Sequence, residues 1–158
     1  MPFDSALQRK IWGRFATGVT VVTTAKGDKL HGLTANAVCS VSLDPPLVLV
    51  SVDKRAGSYP DLLENRCYAV NLLAANQEDL SQRFAKPGPK DFTGLTWRTA
   101  VTGAPIFAGT LGWVDCRIVD VLQGGDHEIF LGEIVAGELG EEGPPLLYFS
   151  GKYRQLAE

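Results

Sequence analysis

The sequence is poor in the residues that build disulfide frameworks and metal sites. Its 158 residues include only three cysteines and two histidines. Cys39, Cys67 and Cys116 form no CxxC pair and each lies in an apolar stretch, which predicts buried free thiols in a reducing cytoplasm. His31 and His127 are far apart and lack the spacing of metal ligands, so we expect no metal site.

The chain also lacks a strong charge of one sign and a long hydrophobic run. Its formal net charge of −3 gives no general attraction to nucleic acid or to an anionic membrane surface. No apolar run approaches the ~20 residues that span a bilayer, and the N-terminal segment does not resemble a signal peptide. A hydrophobic content of 45% in a chain of this length predicts one globular domain over residues 1–158.

Several sequence motifs of catalysis are missing as well. The chain contains neither GxGxxG nor the P-loop pattern GxxxxGK[ST], so a Rossmann or P-loop nucleotide site is not expected. GxSxG is absent, and no cysteine has a histidine close to it in sequence. Nucleophilic catalysis by a protein side chain therefore finds little support.

What the sequence does contain is a succession of strands with a few short helices. Leu7, Ile11 and Phe15 recur at helical spacing behind a cap at Asp4 or Ser5, which predicts a first helix that ends at Gly18. Strands are predicted at 19–24, 30–43, 47–52, 67–73, 109–123 and 127–139, short helices at 57–65 and 77–85, and a loop at 86–94. Because β and α elements do not alternate, this order predicts a mainly β protein, an antiparallel barrel with short helices outside it.

Three clusters carry residue types suited to binding a ligand. The first comprises residues 32–37, where small and hydroxyl side chains let a planar ligand approach the backbone, followed by Ser40 and Ser42. The alternative is an ordinary strand whose small residues allow close packing.

The second cluster is the stretch SVDKRAGS at 51–58, where a strand runs into a turn and a helix start with two basic residues. Such a junction can hold a phosphate without overall positive charge. The alternative is a solvated turn in which Ser58 caps the helix.

The third cluster is Gly125-Asp126-His127 at a hairpin tip, whose glycine and aspartate are ordinary turn residues. His127 could carry a proton near neutral pH, or it could be exposed and idle.

Taken together and in order, these clusters resemble the flavin reductase family of the FMN-binding split-barrel fold, the small reductase components of two-component flavin monooxygenases. The resemblance extends over nearly the whole chain. The segments that carry it are RFATGVTVVT (14–23), GLTAN (32–36), SVS (40–42), DPPLV (44–48), the turn to Ser58, SQRFA (81–85), DF (91–92), GDH (125–127) and YFSGKY (148–153).

The resemblance implies which residues form the site. The residues implied to contact the flavin ring and its ribityl chain are Thr34, Ala35, Asn36 and Ala37, with Ser40 and Val41 nearby. Those implied at the phosphate end are Ser51, Val52, Asp53 and Ser58, with Lys54 or Arg55 able to help. Asp126 and His127 are implied to border the nicotinamide, with His127 positioning it over the flavin, and Arg83 and Phe84 to close the pocket.

The function that follows is hydride transfer from NADH or NADPH to FMN or FAD, with delivery of the reduced flavin to a separate flavin-dependent monooxygenase. The family further implies a homodimer with flavin at the subunit interface, where Trp12 and Trp113 are candidates for packing. Two alternatives remain open at this point. One is a split-barrel protein that keeps its flavin tightly bound and acts as another reductase or a sensor; the other is an interaction barrel with an empty pocket.

Overall fold

The computed structural model describes residues 2–157, which form a mainly β structure with three short helices. The helices are α1 (Ser5–Gly13), α2 (Tyr59–Asn65) and α3 (Glu78–Ala85), with a 3₁₀ turn at Ala75–Gln77 before α3. The strands are β1 (Thr17–Gly18), β2 (Thr20–Lys26), β3 (Lys29–Ala35), β4 (Val38–Leu43), β5 (Pro46–Asp53), β6 (Cys67–Leu72), β7 (Trp97–Arg98), β8 (Ile106–Phe107), β9 (Gly112–Gly124), β10 (His127–Leu139), β11 (Leu147–Phe149) and β12 (Lys152–Arg154).

Seven strands form one antiparallel sheet in the order β3-β2-β6-β9-β10-β5-β4. Its two edge strands, β3 and β4, are consecutive in sequence and are joined only by residues 36 and 37. Because so short a link spans roughly 10 Å at most, the sheet has to curl until its edges meet at that end. No ladder joins β3 to β4 among the described residues. The sheet is therefore an open barrel, and the predicted mainly β, split-barrel fold is confirmed.

The inside of this barrel is filled by side chains. Val22, Val50, Val70 and Phe130 are almost completely buried there, together with Tyr68. The Tyr68 hydroxyl lies 3.1 Å from the carbonyl oxygen of Val48 and 3.0 Å from that of Phe130, to which it donates. Burial raises the pKa of this phenol far above its usual range. A tyrosine thus joins β6 to β5 and β10 across the barrel interior.

Two predicted elements differ from the observed ones for tertiary reasons. The first helix ends at Gly13 and not at Gly18, because residues 17–18 pair with β11 as strand β1. The predicted strand 30–43 is two strands, since Asn36 and Ala37 turn the chain from one edge of the sheet to the other.

Two burial predictions also need correction. Cys39 is exposed, because it lies on the edge strand β4, whereas Cys67 and Cys116 are buried as expected. Trp113 was expected to offer a face for packing against another subunit, yet it is 9% exposed. The guanidinium of Arg98 covers its ring at 5.0 Å from the centroid.

Within residues 2–157, no helix is both long enough and apolar enough to cross a membrane. The same residues contain no group of three or more His, Cys, Asp or Glu side chains arranged to hold a metal ion.

The packing around Tyr68 predicts that Gly132→Ala destabilises the barrel. A Cβ at this β10 position would lie 2.5 Å from the Tyr68 hydroxyl and 2.9 Å from the Cys116 Cβ. Overpacking of this kind costs roughly 1–3 kcal/mol and should lower Tm by about 5 °C. The change in Tm is measured by thermal unfolding followed by circular dichroism. Gly143→Ala is the control, because its Cβ would meet only one side-chain atom, at 3.9 Å. Equal Tm values for the two variants would contradict the prediction.

Candidate functional site

A cavity of about 570 Å³ lies along the free edge of β3. The other walls are the turn before α2, the end of α3 with the loop after it, and two tyrosines from the C-terminal strands. The lining residues are Val19, Leu33, Thr34, Ala35, Asn36, Arg55, Ala56, Gly57, Ser58, Ser81, Phe84, Ala85, Lys86, Pro87, Gly88, Lys90, Tyr148 and Tyr153. The first two sequence clusters, 32–37 and 51–58, therefore share one cleft.

The β3 wall is formed by backbone and small side chains. As an edge strand, β3 pairs only with β2. On its other side the N–H and C=O of Gly32 already contact His31 Nδ1 and the Ser58 hydroxyl, so only the outward groups beyond Gly32 are left for a ligand or water. Thr34 does not offer its hydroxyl proton to the cavity, because it donates to the Ser81 carbonyl at 2.6 Å. This bond fixes α3 against β3.

Residue 32, just before this wall, is a glycine because the Phe84 ring leaves little room for a side chain there. A Cβ at Gly32 would lie 3.0 Å from two ring atoms of Phe84. The Phe84 ring also packs edge-on against Phe92, with 5.2 Å between centroids, and in a tilted arrangement against Phe107, with 5.3 Å between centroids. The glycine thus lets a buried aromatic cluster press directly on β3 and hold the cavity wall in place.

The turn after β5 presents a positive charge at the cavity. The Arg55 guanidinium makes two bonds to the Asp53 carboxylate, from Nε at 3.1 Å and from the terminal nitrogen at 2.8 Å. The Arg55 backbone N–H donates to the same carboxylate at 2.8 Å. These contacts hold the pKa of Asp53 well below its usual range. Asp53 therefore stays charged and orients the Arg55 side chain.

Ser58 lies at the N-terminus of α2, as expected, but its hydroxyl does not cap the helix. The hydroxyl oxygen instead lies 2.8 Å from Nδ1 of His31 and 3.0 Å from the Gly32 carbonyl oxygen. The helix itself has only seven residues. Any phosphate held here would thus depend on the turn and its side chains more than on a helix dipole.

The loop after α3 adds two lysines, Lys86 and Lys90, to the cavity. The Lys90 ammonium donates to the Lys86 carbonyl, and partial burial lowers its pKa. With Arg55, whose charge is paired with Asp53, three cationic residues line the cavity, and no described residue with a carboxylate lines it. The site is locally positive in a protein whose net charge is −3, and it suits an anionic ligand.

The tip of the β9–β10 hairpin, which carries Gly125, Asp126 and His127, lies against the turn after β5. The Lys54 N–H donates to the Asp126 carbonyl at 3.0 Å, and His127 pairs with Asp53 across β10 and β5. Nδ1 of His127 lies 2.7 Å from the Asp126 carboxylate, which can only accept. Nδ1 therefore carries the proton, and Nε2 is left for another partner.

The structure brings some of the sequence-predicted site residues together and places others elsewhere. Those that line the cavity are Thr34, Ala35, Asn36, Arg55, Ser58 and Phe84. Those outside its lining are Ala37, Ser40, Val41, Ser51, Val52, Asp53, Lys54, Arg83, Asp126 and His127. For the second group, a direct ligand contact stays a prediction.

Several of the residues outside the lining have other positions or partners. Ser40 lines a separate apolar groove along β4, and Val52 is buried in the barrel core. Arg83 donates to the carbonyls of Asp91 and Thr93 at 3.3 and 3.0 Å. It thereby ties down the loop that carries Lys86 and Lys90.

Sequence reasoning did not single out several residues that line this cavity or contact its lining, among them two tyrosines, two lysines and His31. The signal for Tyr148 and Tyr153 was present, because both lie in the segment YFSGKY that carries the resemblance. Lys86 and Lys90 lie in the predicted loop 86–94, where residue type alone does not tell which way a side chain points. His31 was weighed only as a metal ligand and had no motif of its own.

Residues 12–157 match the Flavin reductase like domain. A "Probable flavin reductase" of Rhizobium meliloti strain 1021 is 41% identical over 86% of this chain, which spans 44% of that protein. An "NADH-dependent FAD reductase" of Streptomyces globisporus is 38% identical over 99% of this chain and 88% of that protein. The "4-nitrophenol 4-monooxygenase/4-nitrocatechol 2-monooxygenase, reductase component" of Rhodococcus opacus is 37% identical over 96% of this chain and 81% of its own.

Solved structures agree with this comparison. The Streptomyces globisporus NADH:FAD oxidoreductase SgcE6, in complex with NAD and FAD fragments, superimposes with a TM-score of 0.92 at 37% identity, covering 98% of this chain and 93% of that one. BorF, the flavin reductase component of a bacterial two-component tryptophan halogenase, gives a TM-score of 0.91 at 40% identity, covering 98% and 99%.

Proposed function

The chain belongs to the flavin reductase like family, and from that premise we propose that it transfers hydride from NADH to FAD or FMN. The reduced flavin then leaves for a separate flavin-dependent monooxygenase. NADH and FAD are named for the Streptomyces globisporus relative, and a monooxygenase is named for the Rhodococcus opacus relative. The same activity is the one that the cavity of this chain supports best.

One observation carries the proposal: the free edge of β3 and a cationic turn and loop form one cavity of about 570 Å³. This volume lies within the range of cofactor sites in proteins. A flavin nucleotide needs a flat surface, polar partners along the ring edge and positive charge for its phosphate. The cavity offers these through β3, the aromatic walls and the three cations, so the residues present fit the group.

Bound flavin supplies the hydride acceptor, and this chemistry needs no protein nucleophile. The residues of the chain bind and orient. The outer edge of β3 offers backbone N–H donors to the polar edge of the ring, where negative charge develops on reduction. Arg55, Lys86 and Lys90 attract the phosphate end, and the Phe84 cluster keeps water from one side of the ring.

His127 positions the nicotinamide in this proposal. The Asp126 carboxylate fixes the proton of His127 on Nδ1, so Nε2 faces outward as an acceptor for the carboxamide of NADH. The support for this role is that His127 pairs with Asp53 across β10 and β5, and Asp53 in turn holds Arg55 at the cavity. Holding the nicotinamide there brings the hydride donor close to its acceptor.

We also propose that the reductase is a cytoplasmic homodimer. The support is α1, which has no buried residue, while Ile11 and Trp12 are 52% and 63% exposed. A nine-residue helix with its apolar side chains in water is marginal by itself, and an exposed apolar patch of this kind favours contact with another protein surface. A second copy of the chain would cover it. Free Cys67 and Cys116 agree with a reducing compartment.

The activity predicts that the apo-protein bleaches oxidised flavin. Mixing with FAD or FMN and excess NADH without oxygen should remove the visible flavin absorbance in a stopped-flow experiment. Absence of bleaching with both NADH and NADPH would overturn the proposed reaction. Dialysis of the flavin-loaded protein tests the alternative, because stoichiometric yellow flavin that survives dialysis would indicate a tightly held group instead of a diffusing one.

Replacement of His127 predicts a defect in nicotinamide binding. His127→Ala should raise the KM for NADH about tenfold through loss of one hydrogen bond in a preorganised site, and flavin affinity should change little. Steady-state kinetics and fluorescence titration measure the two quantities. Glu141→Ala is the matched control, an exposed residue far from the tip in sequence. A loss of flavin binding in His127→Ala would mean that this residue acts at a different part of the site.

The dimer predicts that the exposed face of α1 is needed for association. Sedimentation should give a mass of two chains, and Trp12→Glu should shift the protein towards one chain because it buries a carboxylate in an apolar contact. Gln8→Glu introduces the same charge at another exposed position of the helix and is the control. If the wild-type protein were a monomer at micromolar concentration, the proposed dimer would be contradicted.

A further inference from the structure

A second cavity, of about 500 Å³, opens onto the barrel core and shares no lining residue with the proposed flavin cavity. Five neighbouring strands of the sheet, β6, β9, β10, β5 and β4, contribute its walls. Val48 and Val70 belong to the buried core of the barrel, whereas Leu139 on the same cavity is 90% exposed. The barrel is thus open to solvent along a groove, which we call the mouth groove.

The composition of the mouth groove calls for an apolar occupant. Among its described lining side chains, only Ser40, Trp113 and Glu138 carry a polar atom. The rest of the lining consists of Val, Leu, Ile and Gly residues, and a contiguous apolar surface of this kind marks an interaction site on a soluble protein. Within residues 2–157, no segment fills the groove.

The helix α1 has the complementary surface. None of its residues is buried, although Leu7, Ile11 and Trp12 are large and apolar. Leu7 and Ile11 are four residues apart and therefore lie on one face of the helix, which is the spacing of an amphipathic helix that docks into an apolar groove. The C-terminal end of α1 is held by its own chain, because the Ser150 N–H donates to the Gly13 carbonyl at 2.7 Å. The apolar face stays uncovered.

The charges of the two surfaces are also complementary. Residues 5–14 contain three basic residues and no acidic one. Segment 138–142, whose first two residues line the groove, contains three glutamates and no basic residue. Arg98 already pairs with Glu138 at 2.8 Å, so the attraction depends mainly on the other two glutamates. Such complementarity favours a basic helix as the occupant of this groove.

We propose that the mouth groove receives α1 of a second copy of this chain, while α1 of the first copy lies in the groove of the second. This exchange gives a closed dimer in which every contact occurs twice. The inference rests on the homodimer of the proposed function and deepens it by naming the surface that α1 contacts. It does not depend on the proposed hydride transfer. It differs from a dimer in which the two α1 helices pack only against each other.

The first test changes the groove and leaves α1 intact. Leu139→Lys places an ammonium group where the basic helix should lie, and the fold of one chain should tolerate it because Leu139 is so exposed. Desolvation and repulsion of this charge should raise the dissociation constant of the dimer about tenfold or more, measured by sedimentation. Leu43→Lys is the matched control, the same change at a residue that is 91% exposed and lies outside the groove lining. It should dimerise like the wild type.

The second test mixes two variants that each dimerise poorly. Trp12→Glu damages α1 and Leu139→Lys damages the groove, so a homodimer of either variant has two damaged contacts. A mixed dimer has one contact in which helix and groove are both intact, and in the other the introduced carboxylate faces the introduced ammonium. The equimolar mixture should therefore dimerise about tenfold or more tightly than either variant alone. An affinity tag on one variant identifies the mixed dimers.

The outcomes separate this inference from the proposals on which it builds. If Leu139→Lys dimerises within about twofold of the wild type, if Leu43→Lys is impaired equally, or if the mixture stays monomeric, the groove is not the surface that α1 contacts. The homodimer then stands and this inference is overturned. If the wild-type protein is a monomer at micromolar concentration, both are overturned. Bleaching of flavin by NADH tests the proposed reaction independently of all three results.

Discussion

The free edge of β3 is the constraint on which the rest of the structure depends. An edge strand exposes unpaired backbone groups, and proteins ordinarily have to protect it from pairing with other chains. Here α3 and the loop after it lie over that edge without pairing with it, held by the bond from Thr34 to the Ser81 carbonyl. The cover leaves a cavity of about 570 Å³ along the edge. The exposed backbone edge of β3, which in an open sheet could pair with another chain, here forms one wall of the cavity.

The same constraint explains why the site lies outside the barrel. In a small barrel the interior holds little more than side chains, and here Tyr68 and Phe130 fill it. The proposed flavin site therefore lies on the outer wall, where a ligand needs a cover and a source of positive charge. The cover comes from the Phe84 cluster, and the charge comes from a turn and a loop that are far apart in sequence. A protein with a net negative charge thereby has a local site for an anion.

Much of this was predictable from sequence, because strand and turn signals are local. The hairpin of β9 and β10 was predicted within a few residues, as was α3, and their patterns needed no knowledge of partners. The end of α1 and the division between β3 and β4 were not predictable in that way. Residues 17–18 leave the helix to pair with β11, and residues 36–37 interrupt a run of small residues that otherwise predicts one strand. The first result depends on a partner far along the chain. The second arises because β3 and β4 pair with different neighbours, β2 and β5, at opposite edges of the sheet.

The residues of the candidate site also fall into two groups: those that the sequence predicted and those that became apparent only from the fold. Thr34, Asn36 and Ser58 were predicted because each lies in a segment with a recognisable order. Lys90 and His31 carry no such signal: the fold brings Lys90 to the cavity and places the Ser58 hydroxyl 2.8 Å from Nδ1 of His31, 27 residues away in sequence. A reaction in which the cofactor supplies the reactive atoms leaves the protein to bind and orient, and those tasks are shared by many weak contacts. The sequence signal of such a site therefore lies in the order of its segments, and the residues that tune it become visible only when the barrel brings the segments together.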